Sequence, residues 1–128
     1  MIKKILFIED ETHIAELYAM VLRKEGYEVA IAKDGKDGLR LGQSGKYDLV
    51  LLDLMLPNMS GQDILYTLKN PKKSPKFKGR VIILTNFGEN DKTRRKLQYL
   101  SEGYLLKVNY TPRDLFKYVQ MLDTAKKP

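Results

Sequence analysis

Cysteine is absent from the 128-residue chain, which excludes both a disulfide framework and a thiolate metal site. No apolar run approaches the roughly 20 residues that a membrane-spanning helix needs. The opening Met1-Ile-Lys-Lys-Ile-Leu-Phe-Ile-Glu-Asp-Glu11 turns acidic long before the apolar core of a signal peptide could form. A cytoplasmic location, away from the membrane, is the expectation that these absences leave. Histidine occurs once, as His13, so any catalysis resting on paired imidazoles is excluded. Its place at the start of the first helical pattern reads as an ordinary surface position.

The length suits one compact domain spanning 1–128, large enough to bury a core and too short for two. With 43% hydrophobic and 30% charged residues, the composition is that of a globular chain. Lys and Arg number 23 against 16 Asp and Glu, a formal charge of +7 that biases the surface toward acidic partners. Much of the excess lies in two runs, Lys69–Arg80 and Lys92–Lys96, which read as a solvated loop and a solvated helix face, so nucleic-acid binding is disfavoured.

Apolar runs and helical periods alternate along the chain. Ile5–Ile8 is a short apolar run ending in acids, as expected of a strand buried on both faces. From Glu11 to Glu25, Ile14, Leu17, Tyr18, Val21 and Leu22 recur at helical spacing and predict one buried stripe, with Gly26 as the stop. Tyr27–Ala32 reads as a second strand, followed by an Asp34-Gly35 turn and a weaker helix over Lys36–Ser44 carrying Leu39. Tyr47–Asp53 is a third strand. Pro57 and Gly61 punctuate a loop before a helix around Ile64, Leu65 and Leu68. A basic, proline-containing loop from Asn70 to Gly79 leads to a strand at Arg80–Thr85, a helix from about Asn90 to Ser101 and a strand at Gly103–Leu106. Thr111-Pro112 has the start chemistry of a last helix, with Leu115, Tyr118, Val119 and Leu122 inward. Five such alternations call for a parallel sheet covered by helices on both faces.

In sheets of this kind, sites form beyond the carboxyl ends of the strands. The first strand ends in Glu9-Asp10, the third in Asp53, the fourth in Thr85, and the fifth just before Lys107. Three carboxylates brought within about 4 to 6 Å repel by several kcal/mol per pair at an effective dielectric of about 20, so a cation must hold them together. Oxygen ligands suit Mg2+, which takes only one or two carboxylates and leaves an aspartate oxygen free as a nucleophile. Asp53, from the middle of the constellation, is the nucleophile candidate. Phosphoryl transfer needs neutralised charge more than acid–base chemistry, and Mg2+, Lys107 and the Thr85 hydroxyl could each supply some.

Taken together, Glu9-Asp10, Asp53 in Leu-Leu-Asp-Leu-Met-Leu-Pro57 with Gly61, Thr85, and Lys107 after Gly-Tyr-Leu-Leu resemble the receiver domain of two-component response regulators (the CheY-like superfamily). The resemblance covers nearly the whole chain. It implies a flavodoxin-like (βα)5 three-layer α/β sandwich with strand order 2-1-3-4-5. It also implies phosphoryl transfer to Asp53 from a sensor histidine kinase or a phosphotransfer protein. Asp10, Asp53 and the Met55 carbonyl would then ligate Mg2+ directly, with Glu9 acting through water. Thr85 and Tyr104 match the family's switch pair, with the fourth helix, fifth strand and fifth helix as the face that meets a downstream target protein or forms a phosphorylation-dependent homodimer. No enzymatic turnover is expected beyond the chain's own phosphorylation and dephosphorylation. With no effector segment in the chain, output is expected through protein contact.

The chain departs from the family's pattern at two places. Val108 stands where the family usually has proline after the lysine, so a cis peptide is not expected there. Asn86 replaces the small residue usual after Thr85. By the same resemblance, Met55 and Phe87 would flank the approach of a hydrolytic water, and their apolar bulk predicts slow self-dephosphorylation. Two other readings compete: a degenerate receiver serving as a phosphorylation-independent interaction module, and an aspartyl phosphatase. The second is disfavoured because Met55 occupies the position two residues on where such enzymes carry an acid. Tyr99 and Tyr118 read either as an output face or as packing.

Overall fold

The computed structural model describes residues 1–86 and 89–125. Its strands are β1 (Lys4–Ile8), β2 (Glu28–Ala32), β3 (Leu49–Leu52), β4 (Arg80–Thr85) and β5 (Gly103–Leu106), interleaved with α1 (Thr12–Lys24), α2 (Gly35–Gln43), α3 (Gly61–Leu68), α4 (Asp91–Leu100) and α5 (Pro112–Ala125). A short 3-10 turn, Lys107–Asn109, follows β5. All strand pairs are parallel, as the alternation calls for, in the order β2-β1-β3-β4-β5, the flavodoxin-like order that the resemblance implies. No helix among the described residues is long and apolar enough to cross a membrane.

The continuous apolar runs of the central strands serve two cores at once, because successive strand side chains point to opposite faces. Ile5 and Phe7 of β1, with Leu49, Leu51, Ile82 and Leu84, pack against α1 and α5. Leu6 and Ile8, with Val50, Leu52, Val81 and Ile83, pack against α3 and α4, alongside the half-buried Leu39 and Leu41 of α2. Gly38 of α2 lets that helix lie on β1, since a Cβ there would come within 2.6 Å of Ile8.

The α1 stripe differs from its sequence reading. Tyr18 and Leu22 are buried and Ile14 and Val21 pack on the core, but Leu17 is 53% exposed, and Ala15 and Ala19 are buried alongside the stripe. Small side chains permit close helix–sheet approach, a contact that the spacing of large residues does not register. The α1 end is as read: Gly26 takes a φ of 104°, and Tyr27 N–H closes back on the Leu22 carbonyl at 3.1 Å. Asp34-Gly35 is not a free turn, because Asp34 caps α2 by accepting from Asp37 N–H at 2.9 Å.

Gly61 likewise belongs to α3 and not to the preceding loop. The Asn70–Gly79 segment is less open than a solvated loop. Lys72, Lys73, Lys76 and Lys78 are exposed, but Ser74 and Phe77 are buried. The Ser74 hydroxyl donates to the Thr67 carbonyl at 2.7 Å. Tyr99 is 89% exposed, whereas Tyr118 is half-buried and packs on the core, so the packing reading holds only for Tyr118.

Candidate functional site

Backbone pairing carries the chain ends of β1 and β3 to the same rim. Glu9 N–H donates to the Ala32 carbonyl at 2.9 Å and Asp53 N–H to the Ile8 carbonyl at 3.1 Å, which extends the ladder one residue past each strand. Gly61, the first residue of α3, closes the floor below Asp53. Its N–H donates to the Leu54 carbonyl at 3.1 Å, and a Cβ on it would sit 2.4 Å from the Asp53 carbonyl oxygen and 2.6 Å from the Leu54 Cα. Only glycine fits that approach.

Glu9, Asp10 and Asp53 each offer a carboxylate oxygen within 4.8 Å of the others. Glu9 and Asp53 are buried, at 1% and 4% exposure, while Asp10 is exposed at the mouth. The Lys107 ammonium, its side chain only 6% exposed, lies between the two buried acids. It donates to Glu9 Oε1 and, at 3.1 Å, to Asp53 Oδ2. The remaining oxygens are also occupied: Glu9 Oε2 accepts from Glu11 N–H at 3.1 Å and Asp53 Oδ1 from Met55 N–H at 3.2 Å.

Burial pushes the Glu9 carboxyl up to about 7, against the hydrogen bond from Lys107. For Lys107, burial works to lower the ammonium, but the Glu9 hydrogen bond and the Asp53 and Glu9 charges outweigh it and hold the group above its ordinary value. Once Glu9 is ionised, three carboxylates against one ammonium leave two formal negative charges at the mouth of the site. A donor set made only of hard carboxylate oxygens, with charge in excess by two, fits Mg2+.

Thr85 ends β4 fully buried, and Leu106, the residue before Lys107, is its register partner on β5. Tyr104 of β5 is half-buried, and its hydroxyl accepts from Glu89 N–H at 3.1 Å, which ties the strand to the loop before α4. Asn86 is exposed at the rim. Met55 is exposed beside Asp53, whereas Phe87 lies outside the described residues. No peptide bond among the described residues is cis, and Val108 sits in the middle of the 3-10 turn. The structure therefore brings Glu9, Asp10, Asp53, Thr85 and Lys107 to one rim, as the strand ends predict. The Glu11 and Met55 backbone donors and the close approach of Gly61 depend on loop geometry that residue patterns do not encode.

This geometry has many counterparts among known proteins. The family described as the response regulator receiver domain matches residues 5–120. Response regulator ArlR of Staphylococcus saprophyticus is 38% identical over 104 residues, which cover 81% of this chain and 45% of that protein. Transcriptional regulatory protein ResD of Bacillus subtilis is 31% identical over 119 residues, 93% of this chain and 47% of ResD. The chain thus spans about half the length of these relatives. A CheY-like response regulator receiver domain protein from Methanospirillum hungatei superposes with a TM-score of 0.77 at 30% identity, covering 94% of this chain and 92% of that one. Response regulator TrrA of Thermotoga maritima, solved in complex with Mg2+ and BeF, gives a TM-score of 0.68 at 34% identity over 82% of this chain and 86% of its own.

Proposed function

Because this chain belongs to the response regulator receiver domain family of two-component systems, we propose that Asp53 is its phosphoacceptor. The observation that carries the reading is the buried Lys107 ammonium held between Asp53 and Glu9 at a mouth still short of positive charge. In the transfer, an Asp53 carboxylate oxygen attacks phosphorus, the N–P bond of a sensor kinase or phosphotransfer protein phosphohistidine breaks, and an aspartyl phosphate forms. Lys107 holds Asp53 in place beforehand and neutralises charge on the transferring group. The Thr85 hydroxyl, at the end of the neighbouring strand, donates to a phosphoryl oxygen. Asp10, Asp53 and the Met55 carbonyl would hold Mg2+, with Glu9 acting through water, and the ion when bound supplies the missing charge neutralisation. No other substrate is turned over, which makes the protein a switch and not an enzyme.

Output runs through the face made by α4, β5 and α5. A groove of about 360 Å³ there is lined by Arg94, Gln98, Tyr104, Leu106, Asn109 and Tyr110. Movement of Thr85 toward the phosphoryl group and inward rotation of Tyr104 would reshape that groove for a downstream protein or a second copy. Met55, 60% exposed next to the acceptor, is placed to impede water, so a phosphoryl lifetime longer than seconds is expected in the isolated protein.

The test is a titration with beryllofluoride, a phosphoryl mimic, followed by amide NMR with and without Mg2+. Magnesium-dependent shifts at Asp53, Thr85 and Lys107 that spread to Tyr104 support the reading. Shifts absent under both conditions would leave a phosphorylation-independent interaction module.

A further inference from the structure

Lys107 has less framework than the two buried acids it joins. It follows β5, a four-residue edge strand paired only with β4, whereas Glu9 and Asp53 follow strands flanked on both sides. The turn it opens has no buried residue, and Val108 within it is 80% exposed and lacks the fixed φ that a proline would bring. A long, flexible ammonium on such a segment would lose its position on Asp53 unless something else held the turn.

Tyr18 of α1 supplies that hold. Its ring is 6% exposed and sits edge-on to Phe7 with centroids 5.9 Å apart. Its hydroxyl donates to the Tyr110 carbonyl at 2.6 Å, across 92 residues of sequence. Tyr110 N–H in turn donates to the Lys107 carbonyl at 3.2 Å. Beyond the turn, Thr111 and Asp114 cap α5 reciprocally, each backbone N–H donating to the other's side chain at 3.1 Å. Burial pushes the Tyr18 hydroxyl upward, against the nearby Lys107 charge, so it remains a proton donor. The ring contacts alone would be served by phenylalanine; among the described residues the hydroxyl bonds the Tyr110 carbonyl, which closes the turn that carries Lys107.

We infer that Tyr18 is a positioning residue for phosphoryl transfer, its hydroxyl clamping the Tyr110 carbonyl and so setting the Lys107 ammonium against Asp53. The inference rests on the reading of Asp53 as phosphoacceptor.

The experiment compares wild type, Tyr18→Phe, Lys107→Ala and the double variant, measuring the Mg2+-dependent rate of phosphorylation by acetyl phosphate, Mg2+ affinity, and amide hydrogen exchange at Tyr110. Loss of one hydrogen bond acting through Lys107 should slow Tyr18→Phe by about 3- to 10-fold. Mg2+ affinity should stay within roughly twofold, because Asp10 and Asp53 lie beyond β1 and β3, and Tyr110 exchange should rise. In the Lys107→Ala background the same change should add nothing. A wild-type rate with unchanged Tyr110 exchange overturns the inference, as does an equal slowing with and without Lys107. If wild type accepts no phosphoryl group, the Asp53 reading fails by itself. Tyr110 exchange then still decides the clamp, which stands if exchange rises and falls if it does not.

Discussion

Replacing Asp10 with asparagine should stabilise the metal-free protein. Asp10 places a carboxylate oxygen within 4.8 Å of both Glu9 and Asp53. At that separation a like-charge pair costs about 3.5 kcal/mol at an effective dielectric of about 20 and about 1 kcal/mol in bulk water. Asp10 is exposed, so the lower figure governs, and the net gain should be about 1–2 kcal/mol. The measurement is urea unfolding followed by circular dichroism above pH 7, where Glu9 is ionised, with EDTA or with saturating Mg2+. Wild type should gain about 2.7 kcal/mol at a Mg2+ concentration near 100 times its Kd. The variant should start higher and gain little. An asparagine variant less stable than wild type in EDTA, or one stabilised equally by Mg2+, would refute the reasoning.

Four further outcomes follow from the same geometry. Gly61→Ala drives a Cβ to 2.4 Å from the Asp53 carbonyl oxygen, a backbone atom that cannot swing away, so a loss of about 1–3 kcal/mol and slower phosphorylation are expected. Gly103→Ala meets a side chain and no backbone, the Tyr118 hydroxyl at 2.6 Å and two of its ring carbons at 3.1 Å, and should cost less in the same melt. Glu102→Ala removes the acceptor of Val81 N–H at 2.7 Å and the partner of Lys69, and should cost about 1–3 kcal/mol by urea midpoint. The Glu9 carboxyl, raised from 4.5 to about 7 in the metal-free fold, favours folding fully only below its unfolded value. Metal-free stability should therefore fall as pH rises between 4.5 and 7, and Glu9→Gln should flatten that slope.

Much of this architecture is legible in residue order, for identifiable reasons. β4 and β5 begin and end where the sequence reading puts them, because a glycine, charged or polar residue bounds each apolar run. The site is legible because polar residues at strand ends have one rim to meet on in a parallel sheet. Leu17 misleads because the buried face of α1 includes Ala15 and Ala19, whose small size carries no amphipathic signal, and leaves Leu17 outside it. Ser74 and Phe77 are hidden within a lysine-rich stretch whose charge dominates its reading, although Phe77 joins the core and Ser74 is buried on its bond to the Thr67 carbonyl. The Tyr18 to Tyr110 bond joins residues 92 positions apart, and nothing in either local pattern announces it.

The central claim concerns one oxygen of one side chain. Intact mass after incubation with acetyl phosphate, with and without Mg2+, tests it for wild type and Asp53→Asn. A Mg2+-dependent gain of one phosphoryl group in wild type, absent from the variant, is the predicted result. An equal gain in both proteins, or none in wild type when Mg2+ is saturating, would contradict the account.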